Sequence, residues 1–214
     1  IHQYVSFFIS KMNYLTHQLL NSEDLEILRK NFDKEELFWE DGKQTAGKYA
    51  AKVKNNLQLR RDSDFSIKFS GLITKKILKN ELIKSFALPK KVHGTIFSKS
   101  KSGMKYGRHI DNAYMSSGRA DLSFTIFLNC QEEYKGGELS IESLNADRKF
   151  KLNAGEIIIY PSTYLHSVEE VTDGERLVFL GWIESYVKSI EEREYLFDLD
   201  AAARSLLAKY GRSN

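Results

Sequence analysis

The chain has 214 residues, of which 42% are hydrophobic, 29% charged and 12% aromatic, enough to bury a core and too apolar for a disordered or fibrous protein. Thirty-two basic against 29 acidic residues leave a net charge of +3, too balanced to mark a nucleic-acid binder. The single cysteine, Cys130, excludes an internal disulfide and fits a reducing compartment.

No apolar run reaches the ~18 residues of a membrane helix. Tyr4 to Ile9 lacks the basic flank and small-residue cleavage site of a secretory signal, so the chain reads as cytoplasmic. Residues 1–11 read as an N-terminal extension or an added segment, and residues 12–214 as a single domain. Within it, 12–90 is expected to be helical, 91–184 to form a β core and 185–214 to carry a terminal helix. Asn21 and Ser22 can cap a helix, with Glu23, Asp24 and Glu26 suiting its dipole and Leu25, Leu28 and Phe32 at helical spacing. Trp39 to Gly47 reads as a polar loop or edge segment. One longer helix is predicted over Asp64 to Phe86, with Phe65, Phe69, Leu72, Ile73 and Ile77 on one face and Pro89 as its stop.

From Val92 the pattern is short β-branched and aromatic runs: Gly94 to Phe97, Leu122 to Leu128, Leu139 to Ile141, Ile157 to Tyr160 and Leu177 to Ile183. Turns are expected at Gly136-Gly137, Asn145, Asn153 to Gly155 and Asp173-Gly174. Strands without intervening helices predict antiparallel sheets, hence a barrel or double-sheet jelly roll, with the N-terminal helices buttressing one sheet. A last helix is predicted over Ile190 to Tyr210, with Leu196, Leu199, Ala203 and Leu206 or Leu207 as its apolar side, able to pack on its own domain or on a second subunit. Phe179 and Trp182 read as core, and Cys130 as a small buried hydrophobe.

The residues that carry chemistry are His109 and Asp111 in an H-x-D pair, and His166 in YPSTYLHSV. On an extended chain residues i and i+2 share a face, so His109 and Asp111 can ligate one ion, and a distant histidine from the same barrel completes two histidines and a carboxylate. That set leaves coordination positions open and suits Fe(II) in oxygenases. An H-x-D pair alone is weak, and a lone histidine such as His166 is commonly a satisfied structural residue. Context strengthens the reading: both elements lie in the strand-rich part, and Arg176 follows His166 across the expected Asp173-Gly174 turn. A buried arginine needs a carboxylate partner, and a dicarboxylate such as 2-oxoglutarate would supply one in bidentate geometry.

At these residues the sequence resembles the bacterial PKHD-type hydroxylases, Fe(II)/2-oxoglutarate dioxygenases related to the prolyl and lysyl hydroxylases. The resemblance runs from about Met12 to the end, through KVKNN (Lys52 to Asn56), YGRHID (Tyr106 to Asp111), RADLS (Arg119 to Ser123), GGEL (Gly136 to Leu139), AGEIIIYPS (Ala154 to Ser162), LHSV (Leu165 to Val168) and GERL (Gly174 to Leu177). It implies an α+β, cupin-like double-stranded β-helix, iron on His109, Asp111 and His166, and 2-oxoglutarate on Arg176. Ascorbate is the implied reductant, and O2 with a peptide or small molecule the implied reactants. Ser98, Lys99 and Ser100 stand where the family usually has Asn-Arg-Tyr, which leaves Ser100 as a second cosubstrate contact and puts substrate identity in question. Lys99, Lys105, Arg108 and Arg119 are candidates for the substrate entrance, the first three within a basic run that also includes Lys101. Rival readings are a nucleic-acid dealkylase, whose second arginine position holds Trp182 here, a barrel that senses iron or 2-oxoglutarate without catalysis, and a metal-free structural barrel.

Overall fold

Alternating apolar residues build two facing antiparallel sheets. The computed structural model describes residues 14–32, 38–45, 47–143 and 147–211, so the expected extension over 1–11 and the turn at Asn145 lie outside the described residues. In chain order the elements are β1 (Leu15–Gln18), α1 (Ser22–Phe32), β2 (Trp39–Asp41), β3 (Lys54–Asn55), β4 (Leu57–Leu59), α2 (Asp64–Lys79) and α3 (Glu81–Ala87). They continue with β5 (Pro89–Lys101), β6 (Lys105–His109), β7 (Tyr114–Met115), β8 (Gly118–Arg119), β9 (Leu122–Phe127), β10 (Tyr134–Gly136) and β11 (Leu139–Ile141). The last are β12 (Arg148–Phe150), β13 (Glu156–Pro161), β14 (His166–Val168), β15 (Val171–Ser185) and α4 (Ile190–Tyr210).

An eight-stranded sheet runs β1-β13-β9-β15-β5-β4-β2, with β10 on β15, and a five-stranded sheet runs β12-β11-β14-β6-β3. Strand β9 is buried along its whole length, and β13 along all but its first residue, because both faces of the sheet are covered here. Leu122, Phe124, Ile126, Ile157, Ile159 and Phe179 pack outward on Phe65, Phe69, Ile73 and Ile77 of α2. Phe127, Ile158, Tyr160 and Val178 pack inward on Leu139, Ile141 and Phe150 of the smaller sheet. This is the expected jelly roll with helices on one sheet.

The segment expected to be helical up to residue 90 contains four short strands, which extend both sheets at their edges. Trp39–Asp41 is such an edge strand, paired with β4. The single helix expected over Asp64 to Phe86 is two helices. The Asn80 backbone is extended (φ −73°, ψ 122°), closes α2 through its N–H, and opens α3 by accepting a hydrogen bond from Ile83 N at 3.0 Å. Leu72, expected on the buried face, is 49% exposed. Asn80 also contacts His17 Nε2 on β1 at 3.0 Å, so one side chain joins two helices and a strand. Asn80→Ala should cost about 1–2 kcal/mol through the lost cap, read as a lower urea midpoint at unchanged slope.

Helix α4 has the expected bounds, with Ser189 accepting from Glu192 N at its start. Its expected apolar side is not packed: Leu196, Leu199, Leu206 and Leu207 are exposed, as is Ala203. Only its first turns touch the domain, through Phe197 on Phe86 and Asp200 on the Ser85 hydroxyl. Cys130 is exposed because it caps the short 3-10 turn after β9 instead of lying within the strand. The expected turn at Asp173-Gly174 lies inside β15, where Gly174 (φ +72°) pairs with Tyr134. No helix among the described residues is long and apolar enough to cross a membrane.

Candidate active site

Antiparallel pairing of β14 on β6 sets His166 directly opposite His109, and Asp111 follows two residues after β6 ends. The ring centroids of the two histidines are 4.2 Å apart. His109 Nε2 lies 3.9 Å from Asp111 Oδ1, and His166 Nε2 3.8 Å from Asp111 Oδ2. One ligand atom from each of the three falls within 4.8 Å of the others.

The second ring nitrogens fix the chemistry. His109 Nδ1 is 2.8 Å from the Gly107 carbonyl and His166 Nδ1 is 2.9 Å from the Tyr164 carbonyl. A carbonyl can only accept, so each Nδ1 carries the proton, and each Nε2 presents its lone pair toward Asp111. Burial first, and His166 beside it, hold the His109 pKa down to about 4, so the ring is neutral near pH 7. Tyr106 stacks on His109 with centroids 3.6 Å apart, and Tyr160 meets His166 edge-on at 5.2 Å. Asp111 Oδ2 accepts hydrogen bonds from the Ser123 hydroxyl at 2.6 Å and the Trp182 indole N–H at 3.0 Å. These two donors stabilise the ionised carboxylate and fix its rotamer.

The triad opens on a cavity of about 430 Å³ that also receives Arg176, Lys54, Arg61 and Trp182. Arg176 lies on β15 opposite Ser100 and is 3% exposed. Its guanidinium sits 5.4 Å from the Phe127 ring, and among the described residues it has no carboxylate partner. Its Nε and the hydroxyl of neighbouring Tyr134 are buried without hydrogen-bond partners. Burial lowers the Arg176 pKa and Tyr134 and Tyr160 oppose that shift. Gly137, at φ +70°, makes room for this side chain: a Cβ there would stand 3.0 Å from Arg176 Cδ. The donor set of two neutral imidazoles and a carboxylate fits ferrous iron, and the orphaned Arg176 Nε fits a carboxylate ligand.

Of the other cosubstrate and substrate-entrance candidates, Ser100, Lys99, Lys105, Arg108 and Arg119, none lines this cavity. Ser100 is buried directly opposite Arg176, on the same face of the sheet, but does not line the cavity. Lys99 alternates to the opposite face of β5, where it covers the Trp39 ring at 4.2 Å. Lys105 pairs with Glu170 at 3.2 Å and Arg108 grips Glu142 with both nitrogens. Arg119 is bound to Asp121 and to the Ser185 carbonyl at 2.7 Å. The cavity's cations, apart from Arg176, are instead Lys54 and Arg61, which sequence reasoning passed over. Trp182, expected in the core, is a cavity wall seated over Gly94, whose φ of +65° and missing Cβ allow the ring to lie flush.

Residues 95–184 match the model of the 2OG-Fe(II) oxygenase superfamily. Over 203 residues the chain is 71% identical to a PKHD-type hydroxylase of Prochlorococcus marinus (strain MIT 9215), covering 95% of this chain and 92% of that one. The chain belongs to the PKHD-type hydroxylases. A second PKHD-type hydroxylase, from P. marinus strain MIT 9515, is 67% identical over the same share of each chain. Among solved structures, a Pseudomonas putida prolyl-4-hydroxylase superposes with a TM-score of 0.58 at 17% identity, over 83% of this chain and 95% of that one. A Trichoplax adhaerens prolyl hydroxylase, solved with a hypoxia inducible factor peptide fragment, gives 0.57 at 14% identity over 87% of both. As a PKHD-type hydroxylase the chain is an oxygenase that works with Fe(II) and 2-oxoglutarate.

Proposed function

We propose that His109, Asp111 and His166 hold the Fe(II), that Arg176 receives the distal carboxylate of 2-oxoglutarate, and that residues 12–214 act as one hydroxylating domain. The observation that carries this is a buried guanidinium in the same cavity as the triad that, among the described residues, forms no ion pair with a carboxylate. Iron with 2-oxoglutarate supplies the activation of O2 that hydroxylates a substrate C–H bond and yields succinate and CO2. The chain's own residues prepare this. The two backbone carbonyls hold the imidazole tautomers, Ser123 and Trp182 aim the carboxylate, and Phe127, Tyr134 and Tyr160 shield the arginine from bulk water. The substrate is a small molecule or a peptidyl residue such as proline or lysine.

The test incubates the protein with Fe(II), ascorbate, 2-oxoglutarate and a substrate library, following succinate and products heavier by one oxygen atom. Succinate formed together with such a product supports the reading; protein that takes up iron and 2-oxoglutarate yet never hydroxylates would make it a sensor. Trp182→Phe probes the carboxylate's support: the ring stays over Gly94, but the N–H is gone. Metal affinity should fall by roughly ten- to a hundredfold, read by equilibrium titration.

A further inference from the structure

Two cations face the cavity without an acidic partner. Lys54, on β3, is 6% exposed; its ammonium is held by the Thr45 hydroxyl at 3.1 Å and the Tyr106 face at 5.1 Å. Thr45 passes its own proton to Gln58 Oε1 at 2.5 Å, so its oxygen is free to accept from Lys54. Arg61, after β4, is exposed and among the described residues reaches only the Gly94 carbonyl, at 3.5 Å. Among the described residues neither has an ion pair. Desolvation lowers the Lys54 pKa to about 8; Asp111 raises it, Arg61 lowers it and Asp41 raises it, and neither carboxylate forms an ion pair with the ammonium. Asp111 belongs to the triad and offers Lys54 no contact of its own. A buried ammonium is costly unless an anion meets it, and Arg61, exposed and lining the same cavity, adds a second positive charge there. They also stand apart from Arg176: Lys54 comes from the edge of the five-stranded sheet and Arg61 from the turn after β4, whereas Arg176 comes from β15 of the larger sheet.

We propose that Lys54 and Arg61 form the anion subsite for the primary substrate, which is a compact carboxylate of amino-acid size. This rests on the reading above, because it needs Arg176 to hold the cosubstrate and leave this wall to the substrate. The size follows from the cavity, whose roughly 430 Å³ must take 2-oxoglutarate and the substrate together. Thr45 and Gln58 set the Lys54 ammonium, so the carboxylate meets a cation already positioned.

The experiment uses the full chain loaded with Zn(II) and 2-oxoglutarate, which cannot turn over. N-acetyl amino acids are titrated against their uncharged amides by calorimetry and saturation-transfer NMR. The acids should bind, and the amides should bind roughly tenfold or more weakly. Lys54→Met and Arg61→Met should each weaken the acids by a similar factor, and Lys54→Arg should retain them, with melting curves showing each variant folded. Acids and amides binding alike, no acid binding, or indifference to Lys54→Met would overturn the subsite. So would a Lys54→Met effect on 2-oxoglutarate itself as large as that of Arg176→Lys, since Lys54 would then serve the cosubstrate. If the chain takes up neither Zn(II) nor 2-oxoglutarate, the site reading falls and this inference with it; if it loads and no acid binds, only this inference falls.

Discussion

His109→Ala should abolish 2-oxoglutarate turnover and weaken Fe(II) by more than about a hundredfold, since losing even the group that orients a ligand typically costs ten- to a hundredfold. The same is expected of His166→Ala and Asp111→Ala. The three ligands are not equivalent in what their loss leaves behind. Either histidine variant opens a hole beside a ring that is packed by Tyr106 or Tyr160. Asp111→Ala instead strands the Trp182 N–H, while the Ser123 hydroxyl keeps Ser162 Oγ at 2.8 Å. That variant should therefore also destabilise the metal-free fold, by about 1–3 kcal/mol at most for the stranded donor. Anaerobic titration with Fe(II) measures the first effect and urea unfolding without metal the second. Full-strength iron binding in the His109→Ala/His166→Ala double variant would refute the ligand assignment.

Arg176→Lys should weaken 2-oxoglutarate by roughly ten- to a hundredfold, or about 1.4–2.8 kcal/mol, with metal affinity nearly unchanged. The charge survives, but the planar fork that meets a carboxylate with two parallel bonds does not. A lysine there is also poorly housed: the pocket around residue 176 is shaped by Phe127, Tyr134 and the bare backbone of Gly137. Gly137 provides a second approach to the same question without altering the arginine. Its left-handed backbone (φ +70°) and a Cβ position 3.0 Å from Arg176 Cδ and Val171 Cγ2 and 3.1 Å from Tyr134 mean that Gly137→Ala would crowd the walls of the arginine's pocket. Binding of 2-oxoglutarate to the Zn(II)-loaded protein, followed by calorimetry, separates cosubstrate affinity from catalysis. An affinity equal to that of the wild type in Arg176→Lys would move the anchor elsewhere.

The sheets were legible because their signals are local, β-branched runs between glycine turns, and α4 was legible from the helical spacing of Leu196, Leu199, Ala203 and Leu206, although that side is exposed. The break at Asn80 was hidden because the apolar spacing continues through it, and only the backbone angles reveal that one asparagine ends a helix and starts another. Trp182 was misread for a geometric reason. Alternation puts it on the face of Val178 and Leu180, not that of Phe179, and at this end of the barrel the inner face borders a cavity instead of packed side chains. The basic run looked like a substrate entrance because it adjoins His109 in sequence. Strand alternation and cross-strand glutamates turn Lys99, Lys101, Lys105 and Arg108 elsewhere. Lys54 sits on a two-residue strand, too short for any periodicity to announce that its side chain is buried.

Helix α4 outlasts its support. Residues 201–210 are exposed on every side, beyond the last contact at Asp200. A helix with no tertiary neighbour keeps only what its own hydrogen bonds provide, and three turns of such a helix are marginal in water. Its amide protons should therefore trade with deuterium almost as fast as those of a free peptide, while amides before Asp200 are protected by docking on α3. The same contrast makes this stretch more open to a protease than the docked turns of α4 before Asp200, and a cut there leaves the barrel whole.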